Sequence, residues 1–319
     1  MLDAAYEGAF YTGVVCCHSV WMCPVCAAKI AARRVEEVRR VVEYAGQVEG
    51  TVVMTTHTLR HHHDDPISQV ERTGAEALER LQRGSPFARL RERLGIVGRV
   101  RSVEVTHGRN GWHVHYHILW FSWQKWGCEE QHVFAEYMRA AWPRAVARAG
   151  GYCDEEHGCV VSMGHDEDVL SSYVVKCAAS WGLEGEMAGG QVKQGRNGNR
   201  TLFQLLYDAT FERDTYAALL WRDAVLHLKG KRMLDFAQGL RQWVGLNAEQ
   251  SDEELGAEEQ EGAQEVVTLS EKAYDLIVRL QLEALVLEWA EVGGGVYVLK
   301  MLRASGVDTS GCLLPDKPD

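Results

Sequence analysis

The feature that most constrains the fold of this chain is a run of alternating histidines, His113, His115 and His117. Successive side chains point to opposite faces of a β-strand, so all three imidazoles share one face if this run is a strand. The residues 104–112 before it have the pattern of another strand followed by an Asn-Gly turn. The sequence therefore predicts a β-hairpin that carries a row of imidazoles on one face.

The position of Glu104 relative to these histidines depends on the turn. A two-residue loop at Asn110-Gly111 places Glu104 opposite His117, and a four-residue loop from Gly108 to Gly111 places it opposite His115. Both registers give a carboxylate beside two imidazoles, a ligand set for a divalent cation. A three-residue loop would turn Glu104 to the other face, and the histidines would then belong to an ordinary solvated sheet face.

The composition restricts the class of protein. The chain has 319 residues, an ordinary apolar fraction and no apolar run long enough to span a membrane. Its first residues do not have the pattern of a signal peptide, so the prediction is a cytoplasmic protein without a membrane partner. The nine cysteines are odd in number and unevenly spaced, which favours reduced thiols and a metal site over a disulfide framework.

The net charge of −11 does not exclude a nucleic-acid partner, because the negative charge is concentrated in one segment. Residues 247–265 contain eight acidic side chains and no Lys or Arg, which leaves −3 for the rest of the chain. Basic residues cluster elsewhere, as at Arg33-Arg34 and Arg39-Arg40. Charge therefore permits DNA binding without arguing for it.

The order of predicted elements indicates an α+β fold with an antiparallel sheet flanked by helices. Apolar periodicity predicts helices over 27–45, over 68–94 with an interruption at 84–86, over 129–149 and over 166–180, and strands over 51–59, 99–106, 112–121 and 160–163. These elements are followed by a Gly-rich loop over 182–198, two helices over 205–246 and an acidic linker. The chain then continues as a helical tail over 270–304 that breaks at the glycines 293–295.

Cys17, Cys23 and Cys26 have the spacing C-x5-C-x2-C just before the first predicted helix. Three thiolates so close in sequence suit a tetrahedral Zn²⁺ ion, and Cys16, His18 or a distant residue could be the fourth ligand. The alternative is a redox pair at Cys23 and Cys26, because a helix N-terminus lowers the pKa of a thiol. No βαβ unit precedes these residues, so structural zinc is the favoured interpretation.

Other histidines and cysteines have simpler interpretations. Cys153, His157 and Cys159 could supply the missing zinc ligand, although ordinary loop thiols are favoured. The run 61–63 consists of three histidines, and we interpret it as an exposed turn rather than a second metal site. His57 is most simply a hydrogen-bonded residue of its strand.

Tyr173 and Lys176 lie three residues apart in a predicted helix and therefore share a face. A free tyrosine, with a pKa of about 10, is a poor nucleophile, and a neighbouring ammonium favours its phenolate. Taken alone, the two residues are an ordinary surface pair. Beside a metal site that polarises a phosphodiester, they would complete a covalent DNA-nicking reaction.

Together these residues resemble the replication initiators of small bacterial plasmids that replicate by a rolling circle, within the single-tyrosine HUH endonuclease superfamily. The matching segments are residues 17–27, 55–62, 104–119, 173–176, 219–222 and 230–241. The resemblance covers most of the chain from Cys17 to Leu246 and is most specific in the hairpin.

The resemblance implies a catalytic Mn²⁺ or Mg²⁺ ion at the hairpin. His115 and His117 correspond to the HUH histidine pair, with Tyr116 as the bulky residue between them. Glu104 would be the third ligand, in agreement with the hairpin argument. His113 would be a neighbour and an alternative ligand.

The resemblance also assigns the nucleophile. Tyr173 would attack the phosphodiester, with Lys176 as its partner. Some relatives place a glutamate four residues before the nucleophile, where it activates water for the closing cleavage. Here that position is Val169, and Glu167 and Asp168 lie on other faces of the predicted helix, so the terminating step lacks this base.

The resemblance implies an enzyme that nicks plasmid origin DNA and leaves a 3′-hydroxyl primer for a host DNA polymerase, with a host helicase as a further partner. Residues 1–50 would be the zinc knuckle and its helix, 51–200 the nicking domain, 201–246 a helical region, 247–268 the acidic linker and 269–319 the helical tail. A relaxase or single-strand transposase would use the same chemistry. The other alternative is a zinc-stabilised DNA-binding repressor without catalytic activity.

Overall fold

The computed structural model describes residues 2–3, 8–9, 11–13, 17–154, 156–162, 199–246, 250–257, 264–280 and 282–315. The chain divides into a larger unit, Cys17–Gly256, and a smaller unit formed by Met1–Cys16 and Ala257–Asp319. The predicted helix over 166–180 and the Gly-rich loop over 182–198 lie outside the described residues.

The elements of the two units are numbered in chain order. The strands are β1 (Leu2–Asp3), β2 (Gly8–Ala9), β3 (Thr51–His57), β4 (Ile96–Gly108), β5 (Gly111–Ser122), β6 (Cys159–Ser162), β7 (Arg200–Thr201) and β8 (Leu234–Phe236). The helices are α1 (Pro24–Gln47), α2 (Ile67–Gln82), α3 (Ser85–Arg93), α4 (Cys128–Arg148), α5 (Leu202–Thr210), α6 (Thr215–Leu228), α7 (Leu240–Trp243), α8 (Asp252–Ala257), α9 (Glu271–Arg279) and α10 (Glu283–Ala304).

The larger unit contains a six-stranded sheet in the order β6-β3-β5-β4, with β7 and β8 both pairing with β4 at the edge. Every pairing is antiparallel. The prediction of an α+β fold with an antiparallel sheet flanked by helices is confirmed. The hairpin strands β4 and β5 lie inside the sheet, so their register is fixed on both sides.

Helices α2, α3 and α4 cover one face of the sheet. The Tyr116 hydroxyl donates to the backbone oxygen of Glu71 in α2 at 2.9 Å. A Cβ on Gly74 would lie 2.5 Å from the Tyr116 ring, so only glycine lets α2 approach so closely. Trp120 packs edge-on against Phe134 of α4, with ring centroids 6.0 Å apart.

Helices α1 and α7 lie at the other face, the one that carries Glu104. Leu240 of α7 lies against Gly98, where an added Cβ would be 3.1 Å from the leucine Cβ. Arg241 ties α7 to α1 through an ion pair with Glu37 at 2.7 Å. These helices cover part of the face and leave the histidine end of the hairpin open to solvent at His115, whose side chain is 34% exposed.

Two elements of the larger unit differ from the sequence prediction. The region 205–246, predicted as two helices, also contains the strand β8 and the short helix α7. Helix α8 forms within the segment predicted as an acidic linker, and its Asp252 accepts a hydrogen bond from Arg34 at 2.8 Å. Both features depend on partners far away in sequence, namely β4 and α1, so local patterns do not reveal them.

The smaller unit has its own apolar core. Its buried residues come from β2, α9, α10 and the residue Val307 and are Ala9, Ala273, Ile277, Val286, Ala290, Val298, Leu302 and Val307. The predicted break at the glycines is confirmed, because Gly293 and Gly294 have non-helical backbone angles within α10. No helix among the described residues combines the length and apolar character needed to cross a bilayer.

Candidate metal centre on the hairpin

The hairpin register decides which side chains face each other. Glu104 pairs with His115, and Gly108 pairs with Gly111 at the end of the hairpin. This is the register predicted from the longer loop. The alternative that places Glu104 opposite His117 is wrong.

The turn itself differs from the predicted Asn-Gly turn, because Arg109 and Asn110 form the connection. Gly111 is the first residue of β5 and has a φ of 88°, which favours glycine. A Cβ at this position would also lie 2.7 Å from the backbone oxygen of His63. The loop containing the histidines 61–63 therefore packs closely over the end of the hairpin.

Glu104, His115 and His117 bring their ligand atoms within 4.8 Å of one another. The Oε2 atom of Glu104 lies 2.9 Å from Nε2 of His117 and 3.7 Å from Nδ1 of His115. The side chain of His117 is 6% exposed, whereas those of Glu104 and His115 are 28% and 34% exposed. The cluster is therefore anchored in the sheet and open toward solvent on the His115 side.

Thr56 on β3 orients the His117 ring. The two residues pair across β3 and β5, and the Thr56 Oγ1 atom lies 3.0 Å from Nδ1 of His117. This contact directs Nε2, the other ring nitrogen, toward Glu104. A hydrogen bond to the distal nitrogen is how proteins commonly fix the tautomer and orientation of a histidine ligand.

The electrostatics of the cluster favour an ionised carboxylate. Burial by itself raises the pKa of Glu104, but hydrogen bonds from His115 and His117 outweigh it and hold this pKa well below its usual range. Two imidazoles and one carboxylate on one side of a site fit a divalent transition metal such as Mn²⁺, and the open side leaves room for further ligands. Among the described residues, this is one of two groups whose atoms could hold a metal ion.

His113 has a different partner. Its Nδ1 atom lies 3.0 Å from Nε2 of His61, and Nδ1 of His61 lies 2.8 Å from the backbone oxygen of Asn110. The ring centroids of His113 and His115 are 6.3 Å apart. The contact between His113 and His61 joins two segments 52 residues apart, so no local sequence pattern predicts it.

The second group that could hold a metal ion is the cysteine cluster. The Sγ atoms of Cys17, Cys23 and Cys26 lie within 4.8 Å of one another, and those of Cys17 and Cys26 are 4.0 Å apart. A tetrahedral zinc ion with Zn–S bonds of about 2.3 Å separates its thiolates by about 3.8 Å. Burial, together with the neighbouring thiols, raises the pKa of Cys17 to about 11. The arrangement fits zinc, whose charge would favour the thiolates.

The structure separates the weaker candidates from this cluster. Cys153 contacts the backbone oxygen of Thr58 at 3.5 Å, and the His157 ring lies 3.0 Å from Asp154. His18 follows Cys17 with a φ of 51°, and its buried Nδ1 atom has no hydrogen-bond partner among the described residues. Cys16 lies outside the described residues, so the fourth ligand stays open.

The predicted nucleophile Tyr173 and its partner Lys176 lie outside the described residues. The structure therefore describes the metal-ligand half of the predicted nicking site. The tyrosine half stays a prediction from sequence.

Comparison with known proteins gives two relatives, both from Streptomyces. The chain is 26% identical to a protein named "Protein rep" from Streptomyces lividans, in an alignment of 297 residues that covers 74% of this chain and 65% of the relative. It is 33% identical over 140 residues to a "Neomycin resistance protein" from Streptomyces cyanogenus, which covers 36% of this chain and 32% of that protein. The alignments thus span less than two thirds of either relative. No family model matches the chain, and no solved structure matches it.

Proposed function

We propose that this chain is a plasmid replication initiator that nicks one strand of origin DNA through a covalent tyrosine intermediate. The observation that carries the proposal is the cluster of Glu104, His115 and His117, whose ligand atoms converge within 4.8 Å. This ligand set suits a cation that binds phosphate oxygens.

The comparison with Protein rep supports a role in replication. The similarity extends over 74% of this chain, although the identity is 26%. The protein named for neomycin resistance matches 36% of the chain, so its name carries less weight. The partner implied by a replication initiator is plasmid origin DNA, single-stranded at the nick, and after nicking a host polymerase and helicase.

Glu104, His115 and His117 would hold Mn²⁺ or Mg²⁺ in this reaction. When bound, such an ion offsets negative charge on the scissile phosphate. The protein contributes the rigidity of the site, because β5 lies between β3 and β4 and Thr56 holds the His117 ring. The 28% exposed side chain of Glu104 and the 34% exposed side chain of His115 leave one side accessible to a strand.

Tyr173 would be the nucleophile. Its phenol oxygen forms a bond to the phosphorus, the bond from phosphorus to the 3′ oxygen breaks, and the phenol proton goes by way of solvent to the leaving 3′ oxygen. Lys176 would stabilise the phenolate from the next turn of the predicted helix. The products are a 5′-phosphotyrosine and a free 3′-hydroxyl, which primes synthesis. The tyrosyl ester preserves the energy of the cleaved bond for rejoining.

The test is trapping of the covalent intermediate. The purified chain is incubated with Mn²⁺ and a pool of random-sequence single-stranded oligonucleotides, and denaturation-resistant adducts are isolated and sequenced. We expect the wild type to become attached to the 5′ phosphate of the fragment downstream of one specific sequence, and Tyr173→Phe to form no adduct. Tyr152→Phe is the matched control, because Tyr152 is 64% exposed and lies outside the metal-ligand cluster.

The outcome of this experiment also separates the alternatives. A folded wild type that binds DNA tightly but forms no adduct contradicts the nicking proposal and favours a DNA-binding repressor. An adduct that moves to Tyr152 or another tyrosine contradicts the assignment of Tyr173. A relaxase or transposase would give the same adduct. The trapped sequence distinguishes these enzymes when it is compared with plasmid replication origins, transfer origins and transposon ends.

A further inference from the structure

A cavity of about 610 Å³ lies on the face of the sheet opposite Glu104, between α2, β4 and α6. A smaller cavity of about 230 Å³ shares Glu71, Arg101 and Lys231 with it as lining residues. Arg101 belongs to β4 three residues before Glu104, and the alternation of the strand therefore turns it to the opposite face. The metal-ligand cluster does not use this region.

Arg101 is the unusual residue of the cavity. The described residues provide no hydrogen-bond acceptor for its Nε atom, which is buried. They also form no ion pair with its guanidinium, which lines both cavities. Burial lowers the pKa of Arg101, as expected for a cation removed from water. A guanidinium has five N–H donors, and one with a buried donor and no ion pair is stabilised when an anion accepts from its N–H groups.

The acidic residues of the cavity form no ion pair with Arg101, although the charges of Glu71 and of nearby Asp235 favour its protonated form. Each of these acidic residues pairs with another cation. Glu71 accepts from Lys231 at 2.6 Å and lies 3.1 Å from His227. Glu79 of α2 pairs with Arg83, the residue directly after this helix.

The remaining pairs leave a surplus of positive charge. Glu76 lies 4.0 Å from Arg80, and Arg99 is bonded to Asp235 at 2.8 Å. Arg72, which also lines the larger cavity, has no partner among the described residues. The cavity therefore presents Arg72 and Arg101 to a ligand.

We propose that this cavity binds a phosphate group, held by the Arg101 guanidinium with Arg72 as a second cation. The planar guanidinium matches two phosphate oxygens at once, which gives it a preference for phosphate over a simple halide. A volume of about 610 Å³ is within the size range of small-molecule sites, so the phosphate can belong to a free nucleotide or to one nucleotide of a strand. The proposal goes beyond the nicking function and does not depend on it.

The experiment uses the full chain and pyrophosphate as the probe, in a buffer without added divalent metal so that the hairpin site does not contribute. Ligand that binds the folded state raises the melting temperature in a concentration-dependent way. We expect pyrophosphate to stabilise the wild type, and Arg101→Gln to weaken its binding by about tenfold or more. Arg89→Gln is the matched control, because Arg89 is exposed on α3 and does not line the cavity.

Competition identifies the source of the phosphate. A mononucleotide that displaces pyrophosphate where an oligonucleotide does not indicates a free nucleotide, and the reverse indicates a strand. The absence of any stabilisation of the wild type by pyrophosphate overturns the proposal, as does undiminished binding by a folded Arg101→Gln. If Arg101→Gln does not fold, Arg72→Gln replaces it: weaker binding supports the proposal and unchanged binding overturns it. None of these readouts requires nicking, so failure here leaves the nicking proposal intact.

Discussion

The Nε2 atom of His117 lies 2.9 Å from Oε2 of Glu104, although the two residues are not directly paired across the hairpin. Glu104 pairs with His115, and His117 pairs with Ser102. The carboxylate therefore reaches one imidazole directly across and a second one diagonally. On a sheet, direct and diagonal neighbours are both within reach of long side chains, which is how two strands assemble three ligands.

This arrangement predicts that Glu104→Gln binds divalent metal more weakly than the wild type. The amide has no charge and offers one acceptor oxygen in place of two, so Mn²⁺ affinity should fall by about tenfold or more. Calorimetric titration of Mn²⁺ into the purified chain measures the change. Glu92→Gln, an exposed residue outside the cluster, should bind Mn²⁺ as the wild type does. Equal affinities for both variants would refute the assignment of Glu104.

Thr56 should affect metal binding without contacting the metal. Thr56→Val keeps the shape of the side chain but removes the hydroxyl that lies 3.0 Å from Nδ1 of His117. Loss of such an orienting partner lowers metal affinity by about 10- to 100-fold. Thr58→Val, one position past β3, is the control and should leave the titration unchanged. Identical Mn²⁺ isotherms for Thr56→Val and the wild type would show that the hydroxyl does not orient the ring.

The cysteine cluster predicts about one bound zinc ion per chain. Cys26→Ser should remove this zinc and lower the melting temperature, because a structural zinc contributes its binding free energy to folding. Atomic absorption and thermal unfolding measure the two effects. Cys128→Ser is the control, since Cys128 is an exposed thiol outside the cluster. Wild type that is purified with zinc present and contains none would contradict the prediction.

The contact between Arg34 and Asp252 predicts a large effect on stability. The side chain of Arg34 is 1% exposed, and Asp252 lies 2.8 Å from it. Asp252→Ala leaves a buried guanidinium with fewer acceptors, so the free energy of unfolding should fall by about 3 kcal/mol. Glu253→Ala changes an exposed neighbour on α8 and should be nearly neutral. Urea unfolding of both variants tests this, and similar midpoints would mean that α8 does not pack as described.

His57 predicts loss of stability in mild acid. Burial, and to a smaller extent the charge of His117, lowers the pKa of His57 from 6.5 to about 3. Between these pH values the unfolded chain binds a proton at His57 that the folded chain does not. The contribution of the neutral, buried His57 to the free energy of unfolding is therefore complete above pH 6.5 and is lost as the pH falls toward 3. The loss is about 1.4 kcal/mol per pH unit for such a group.

His57→Gln should therefore show a flatter dependence of stability on pH than the wild type. Urea unfolding between about pH 5 and pH 7 measures the slope, a range above the usual titration of carboxylates. His132→Gln, at an exposed position on α4, should keep the slope of the wild type. Parallel pH profiles for the wild type and His57→Gln would contradict a neutral, buried His57.

Local patterns in the sequence were sufficient for the fold class and for the two candidate ligand sets. The alternation of His113, His115 and His117 predicts a strand because the strand period of two depends only on neighbouring residues. The spacing of Cys17, Cys23 and Cys26 likewise places three thiols within a short reach of each other. Helices such as α1 and α4 follow from their own apolar periodicity.

The tertiary structure alone decided which register the hairpin adopts and which distant groups complete the sites. Thr56 reaches His117 from β3, His61 reaches His113 from a loop, and β8 adds to the edge of β4. These contacts join segments far apart in sequence, and strand pairing and side-chain packing determine them jointly. A single sequence records the residue types of such partners but not their pairing, because the energy that selects it belongs to the assembled sheet.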